Sequence, residues 1–226
     1  MLEPEDTRAK ITMVGVGPGD PELVTLKARH TIAEADVVAG FASTLKVIEH
    51  LIRGQAITLS YSDQDSRLIG LVNLAKRGLR CVVCVWGDTT LSEAQFVGRF
   101  PRTVELEFIN GISCIQVACC RLGVSLDESV VVSLHKRGAL SQELDEIIHF
   151  VGSTRRTVLV LPRPWDMMPR ELAGYLLTRG LDQAIQVTVM QNLTLHNELM
   201  GSFTLGELSK SSEAFSDLTV LALRRR

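Results

Sequence analysis

The chain lacks most features that would assign it at a glance. No apolar run in its 226 residues approaches the roughly 18–20 that a membrane-spanning helix requires. The stretch from Met1 to Lys10 is polar and acidic, without the apolar segment of a secretory signal. A membrane span and export are therefore not expected, and the expected compartment is the cytoplasm. Charge of one sign is also scarce. The formal net charge is −2, which argues against a nucleic-acid partner, and the terminal Arg224-Arg225-Arg226 reads as a solvated tail. The five cysteines, Cys81, Cys84, Cys114, Cys119 and Cys120, form an odd set that fits no disulfide framework. Cys81 and Cys84 make a Cys-x-x-Cys, yet they lie in Cys-Val-Val-Cys-Val-Trp, which reads as a buried strand whose alternate side chains face opposite ways. Metal ligation there would be awkward, and no metal cluster or nucleophilic triad is expected anywhere in the chain.

What the sequence does contain is a globular composition, 46% apolar and 22% charged, enough for one sizeable core or two modest ones. From residue 11 onward, apolar runs of strand length alternate with helical patterns, the signature of an α/β protein. Strands are expected near 11–16, 36–40, 56–59, 81–86 and 104–109, and helices near 21–34, 43–52, 66–77, 91–98 and 112–122. This first half reads as an open sheet with helices on its faces. In the second half, strands are expected near 129–134, 157–161, 185–191 and 217–223, with helices near 141–151 and 169–179. The terminal strand follows a long polar segment and so can pair with antiparallel neighbours. A boundary near Gly123 to Glu128 would divide the chain into domains of residues 1–123 and 124–226.

The most informative stretch is Met13-Val-Gly-Val-Gly-Pro-Gly-Asp-Pro-Glu22, an apolar strand that breaks into Gly15, Gly17 and Gly19. Glycine at this spacing lets the backbone turn sharply or approach a ligand without a Cβ in the way. Asp20 is placed to cap a helix that has Pro21 at its first position. A dinucleotide fingerprint needs a further glycine where Asp20 stands, and an acidic residue after the second strand, where Val37-Val38-Ala39-Gly40-Phe41 has none. A tight turn whose glycines serve packing alone remains open beside a ligand site. Three more loops fall beyond strand ends, where open α/β sheets bind ligands: Gly87-Asp88-Thr89-Thr90, Asn110-Gly111-Ile112-Ser113 and Ser133-Leu134-His135-Lys136-Arg137. Taken singly, each also fits a capped turn, a helix start or a surface histidine.

In their order along the chain, these motifs resemble a known family, the tetrapyrrole (precorrin) methyltransferases of cobalamin synthesis. The resemblance runs through Gly15-Val16-Gly17-Pro18-Gly19-Asp20-Pro21-Glu22, Glu34-Ala35-Asp36-Val37-Val38, Gly111-Ile112-Ser113, Val132-Ser133-Leu134-His135, Asn192-Leu193 with Glu198, and Phe215-Ser216-Asp217-Leu218. It is most similar to the branch that methylates carbon-5 of cobalt-precorrin-7 or precorrin-6Y. The family implies two α/β domains of the tetrapyrrole methylase type with S-adenosylmethionine held between them. It implies cofactor contacts from Gly87, Asp88, Thr89, Leu91, Gly111, Ile112, Ser113, Leu134, Asn192 and Thr219. Pro18, Gly19, Lys136 and Arg137, together with Arg163, are the expected substrate contacts, since the macrocycle carries acetate and propionate groups that cations can pair. Asp20 and His135 are placed to assist proton removal after methyl transfer. The family further implies a homodimer. The 226 residues leave no room for a second such domain, so if a separate protein performs the companion carbon-15 methylation and decarboxylation, a complex with it is an open expectation. The chain departs from the family pattern at Thr89 and Asn110, both usually proline, and at Gln191, usually acidic. A sibling methyltransferase with another substrate, and a noncatalytic corrinoid-binding homologue, stand beside the carbon-5 reading.

Overall fold

The computed structural model describes residues 8–225. Met1 to Thr7 and Arg226 lie outside the described residues, and with them most of the polar N-terminal stretch and the last of the terminal arginines. The chain divides into two compact units, one ending at Ser113 and the other beginning at Cys114.

The first unit is built on a five-stranded sheet in the order β3-β2-β4-β1-β5, with β1 at Ala9–Gly15, β2 at Val37–Phe41, β3 at Gln55–Leu59, β4 at Cys81–Val85 and β5 at Val104–Ile109. Every pairing in it is parallel. The helices are α1 (Leu26–Glu34), α2 (Ala42–Val47), α3 (Gln64–Lys76) and α4 (Ala94–Val97). One face of the sheet buries Ile11, Met13, Val37, Ala39 and Val83 against Leu68, Leu71 and Val72 of α3. The other buries Val14, Val38 and Val82 against Ala28 and Ile32 of α1 and Leu45 of α2. Burial of each large side chain of α3 contributes about 1.5–3 kcal/mol, which outweighs the roughly 1 kcal/mol that Gly70 costs inside the helix. Because β4 is covered on both faces, its sequence is a continuous apolar run rather than an alternating one. Cys81 faces the first core and Cys84 the second, so the two thiols point to opposite sides of the sheet. Burial pushes the Cys81 thiol up to about 11 and the Cys84 thiol upward as well.

Three helices are shorter than their periodicity predicts, and the one expected at 43–52 ends at Val47, with Glu49–Leu51 a separate 3-10 turn. The expected helix at 21–34 begins instead as a single 3-10 turn, Pro21–Leu23, which Asp20 caps by accepting Glu22 N–H at 2.8 Å. Val24 is extended, and α1 starts afresh where Thr25 Oγ1 accepts Ala28 N–H at 3.2 Å. The expected helix at 91–98 contracts to α4 because Ser92 has φ 65°, a left-handed conformation that interrupts the helix.

The second unit opens with α5 (Cys114–Leu122) and carries β6 (Ser129–Ser133), α6 (Ser141–Ser153), β7 (Thr157–Leu161), α7 (Pro169–Thr178), β8 (Gln186–Gln191), β9 (Leu199–Thr204), α8 (Leu205–Leu208) and β10 (Thr219–Arg224). The dividing point therefore precedes α5, whereas the sequence places it after that helix. α5 packs on β10, which brings it into the second unit. The sheet order is β6-β7-β10-β8-β9, with β6 and β7 parallel and the other pairings antiparallel. Its core joins Val158, Val160, Val187, Val189 and Leu221 to Leu144, Ile147 and Val151 of α6 and Leu172 and Leu176 of α7. Strand β9 is absent from the sequence expectation. It is an edge strand, its residues are exposed or half-buried, and Gly201 breaks its apolar pattern. It ends in a capping box, Thr204 with Glu207, from which α8 buries Leu205 and Leu208. No helix among the described residues is long and apolar enough to cross a membrane.

Candidate ligand site at the strand ends

In a parallel sheet all carboxyl ends fall on one edge, so the loops after β1, β4 and β5 of the first unit are neighbours. From β1 the chain runs toward β2, and from β4 it runs the other way, to β5, the reversal of strand order at which open α/β sheets bind ligands. The first two loops pair through their backbones: Gly17 N–H donates to Gly87 O at 3.1 Å and Gly87 N–H to Gly17 O at 2.9 Å. The third is pressed close to them. A Cβ on Gly111 would stand 2.1 Å from Gly87 O, and one on Gly15 would stand 2.5 Å from the same oxygen, so neither position has room for a side chain. Gly17, at φ 80°, adopts a backbone conformation that glycine takes without strain. Pro18 and Gly19 are buried within the first loop, and Asp20 is half-buried at its end.

Asp88 ties the second loop to the third. Its Oδ1 accepts Thr90 N–H at 2.9 Å and the Thr90 hydroxyl, and its Oδ2 accepts Asn110 Nδ2 at 3.1 Å and Gly111 N–H at 3.0 Å. Burial raises its pKa, but the four hydrogen bonds outweigh burial and hold the carboxyl below its usual value. Asp88 is therefore spent on the protein itself. Leu91 N–H bonds back to Asp88 O at 3.2 Å and closes the turn. Thr89 is buried between these groups, and its Oγ1 has no hydrogen-bond partner. An unsatisfied buried hydroxyl costs about 1–3 kcal/mol. Of the third loop, Gly111 and Ile112 are half-buried and Ser113 is buried. Two groups here escape a reading by motif. Asn110 completes the Asp88 network, and an Asn side chain beside Gly111 at a strand end was the available signal. Glu93, half-buried ahead of α4, has its carboxyl pushed up to about 7 by burial, which no local sequence pattern announces.

The second unit also gathers its candidates at one sheet edge. Val160 pairs with Leu221 and Gln191 with Thr219, so the ends of β6, β7 and β8 meet the start of β10. Leu134, fully buried, donates its N–H to Leu161 O at 2.9 Å. His135 follows it, exposed, with its ring centroid 6.3 Å from that of Trp165. Desolvation by surrounding atoms lowers its pKa and the Asp217 carboxylate opposes this, with a net decrease that favours the neutral imidazole. Asn192 has φ 52°, which asparagine tolerates better than most residues. Its Oδ1 accepts the Ser216 hydroxyl at 2.7 Å, its N–H donates to Leu218 O at 2.9 Å, and Gln191 Oε1 accepts Ser216 N–H at 2.8 Å. The buried Thr219 donates its hydroxyl to Ser216 O at 2.5 Å. Glu198 pairs with Arg121 at 2.7 and 3.1 Å and accepts Thr194 N–H at 2.7 Å; the Arg121 guanidinium holds its carboxyl below the usual value.

The expected substrate cations are not alike. Lys136 is paired with Glu143, which that ammonium holds below its usual pKa. Arg163 is buried, grips Asp166 at 2.5 and 2.9 Å and donates to Gly138 O at 2.8 Å and Lys136 O at 3.3 Å. It fixes the loop after β6, so its guanidinium is committed to the fold. Arg137 is exposed on that same loop.

The chain can be compared with known proteins on this footing. It is 29% identical over 214 residues, 93% of this chain and 95% of the relative, to the probable cobalt-precorrin-7 C(5)-methyltransferase of Methanocaldococcus jannaschii. Its fold matches the crystal structure of the cobalamin biosynthesis precorrin-6Y methylase of Archaeoglobus fulgidus, with TM-score 0.73 at 23% identity over 96% of this chain and 99% of that one. It also matches the uroporphyrin-III C-methyl transferase of Thermus thermophilus complexed with S-adenyl homocysteine, with TM-score 0.72 at 20% identity over 95% and 92% of the two chains. The family model of the Tetrapyrrole (Corrin/Porphyrin) Methylases matches residues 10–209, and with its two α/β units the chain belongs to that family of methyltransferases.

Proposed function

We propose that this chain is an S-adenosylmethionine-dependent methyltransferase that methylates carbon-5 of cobalt-precorrin-7 in cobalamin synthesis. The observation that carries the reading is the end-to-end similarity to the carbon-5 enzyme of M. jannaschii, 93% of this chain against 95% of that protein. The strand-end loops fit the methyl donor. They offer strand-end backbone and an orphaned hydroxyl at Thr89, while Gly15 and Gly111 let the loops themselves pack together.

When bound, S-adenosylmethionine supplies an electrophilic methyl group to a nucleophilic meso carbon of the macrocycle. The protein's task is then alignment and exclusion of water. In this reading Gly87, Thr89, Leu91, Gly111, Ile112 and Ser113 contact the donor in the first unit, and Leu134, Asn192 and Thr219 do so in the second. Asp88 holds two of those loops in place through its hydrogen bonds. Pro18 and Gly19 form substrate-facing backbone. Arg137 meets macrocycle carboxylates, and Lys136 does so while shared with Glu143. His135, neutral near pH 7, can accept a proton released after carbon–carbon bond formation, and Asp20 is the second candidate, with one oxygen already engaged by Glu22 N–H. A homodimer, on the family resemblance, and a cytoplasmic setting belong to the same reading, as does a complex with any separate protein that performs the carbon-15 methylation and decarboxylation.

The test is incubation of purified protein with cobalt-precorrin-7 and the methyl donor. The expected outcome is a product one methyl group heavier, with the new methyl at carbon-5 by NMR. A methyl at another carbon identifies a sibling tetrapyrrole methylase, and no methylated product under donor saturation overturns the assignment.

A further inference from the structure

In the second unit a large aromatic side chain is held out to solvent by a rigid frame, at the strand-end edge that carries His135. The loop between β7 and α7 is a tight turn: Arg163 and Met167 exchange both backbone hydrogen bonds, at 3.2 and 3.0 Å, and Pro162, Pro164 and Pro169 restrict the chain around it. Trp165 stands at the tip of this turn, 54% exposed, while Met167 rather than Trp165 packs against the core of the unit. The buried Arg163 guanidinium grips both oxygens of Asp166 and donates to the carbonyls of Lys136 and Gly138, on either side of the exposed Arg137. Its central carbon lies 5.6 Å from the Trp165 ring centroid, and the His135 ring is 6.3 Å from the indole, centroid to centroid. A single exposed apolar side chain is ordinary on a protein surface. An indole fixed at a turn tip over a buried cation, beside an exposed arginine and a histidine, has instead the composition of a recognition surface, where Trp and Arg anchor ligands.

We propose that Trp165 is a substrate-positioning residue, an indole platform that stacks on a conjugated face of the macrocycle while Arg137 takes one of its peripheral carboxylates. The inference rests on the tetrapyrrole substrate of the reading given above. The pair fits that chemistry in both its parts: a flat conjugated body stacks on an aromatic face, and an anionic rim is met by a guanidinium. Because the turn and the Arg163 contacts already fix the indole, little ordering is lost when the ligand arrives. The same platform places the macrocycle beside His135.

Calorimetric titration with cobalt-precorrin-7, without the methyl donor, tests this on the wild-type protein, Trp165→Phe and Trp165→Leu, with S-adenosylhomocysteine titrated in parallel. The expected result is macrocycle affinity reduced about 3- to 10-fold in Trp165→Leu, as an aromatic contact is lost, and within about twofold of wild type in Trp165→Phe, which keeps a ring. Affinity for S-adenosylhomocysteine and the melting temperature should be the same in all three. Equal macrocycle affinity in wild type and Trp165→Leu overturns the role of Trp165 and leaves the methyltransferase reading standing. Equal loss of macrocycle and S-adenosylhomocysteine affinity in Trp165→Leu makes the side chain structural and overturns the proposal as well. A wild-type protein that does not bind cobalt-precorrin-7 overturns both readings. One that binds but does not methylate it overturns the carbon-5 assignment, while the titrations still decide the role of Trp165.

Discussion

The two units hold their strand-end loops by different means. In the first, backbone meets backbone: Gly17 and Gly87 exchange hydrogen bonds, Gly111 lies against Gly87 O, and a single carboxylate, Asp88, closes the arrangement. In the second, side chains tie the loops together. Asn192 and Gln191 hold Ser216, Arg163 grips Asp166 and two carbonyls, and Arg121 pairs with Glu198. A geometry set by backbone contact admits no added atom, because the clash is with groups that cannot rotate away. A geometry set by side chains can lose one bond and keep the rest. Substitutions in the first cluster should therefore act on the whole unit, and those in the second should act locally.

The largest expected effect is that of Gly111→Ala. Its Cβ would stand 2.1 Å from Gly87 O and 2.7 Å from Gly15 O, all backbone, so the cost should reach or exceed about 3 kcal/mol, the upper part of the overpacking range. Chemical denaturation measures it. The comparison breaks if Gly111→Ala costs less than Asn192→Ala, where loss of the side-chain hydrogen bonds to Ser216 and Asn197 O should cost about 1–2 kcal/mol.

Asp88→Asn comes next. It keeps the shape but sets an amide N–H₂ against donors, with an expected loss of about 2–3 kcal/mol at neutral pH. It also has a pH signature. The folded pKa of Asp88 lies below its ordinary value of 3.8, so its contribution is fully present above that value and is lost as pH falls through the folded pKa. Acid unfolding of Asp88→Asn should lack this component below pH 3.8. An unchanged acid limb would mean that the network does not favour the ionised form.

The same contrast explains how much was legible in the sequence. The parallel sheet of the first unit could be read because β4, buried on both faces, is an unbroken apolar run, and because Gly15, Gly17 and Gly19 punctuate the end of β1. The order of motifs picked out the loops that gather at the strand ends. Hydrogen-bond ownership was hidden. Nothing in Gly87-Asp88-Thr89-Thr90 says that Asp88 spends both oxygens on its neighbours while Thr89 spends none, since that depends on how closely the third loop approaches. Arg163 looked like a substrate cation because a guanidinium at a strand end is as suited to a propionate as to Asp166, and only burial separates the two. Strand β9 was missed because an edge strand needs little apolar alternation when β8 supplies its hydrogen bonds. Helix α1 starts late because Val24 leaves the helical conformation after a single turn, although the capping residue and proline before it were read correctly.

Arg163→Ala sharpens the comparison from the side of the second unit. The change frees Lys136 O and Gly138 O and leaves Asp166, about half exposed, to water. The loop after β6 should loosen while the sheet persists, at a cost of about 1–2 kcal/mol. Amide exchange should rise in residues 134–138 and stay unchanged in β7, β8 and β10. Loss of protection throughout the sheet would show that side-chain ties are as global in effect as the backbone contacts of the first unit.

The smallest effect on stability should be that of His135→Gln, and there pH separates a structural role from a chemical one. The folded pKa of His135 lies below 6.5, so the unfolded chain binds its proton first. Wild-type stability should therefore fall slightly as pH drops below 6.5, and His135→Gln should lose that slope. In activity, a neutral imidazole that accepts the proton after methyl transfer gives an acid limb in kcat below pH 6.5, and none in kcat/KM, which does not report steps after the irreversible transfer. Because that proton leaves after the carbon–carbon bond has formed, removing the acceptor should cost about tenfold or less, below the 10²- to 10⁴-fold typical of a base acting in the rate-limiting step. If the acid limb survives in His135→Gln, the proton acceptor lies elsewhere. Asp20, the second candidate, is then the next group to replace.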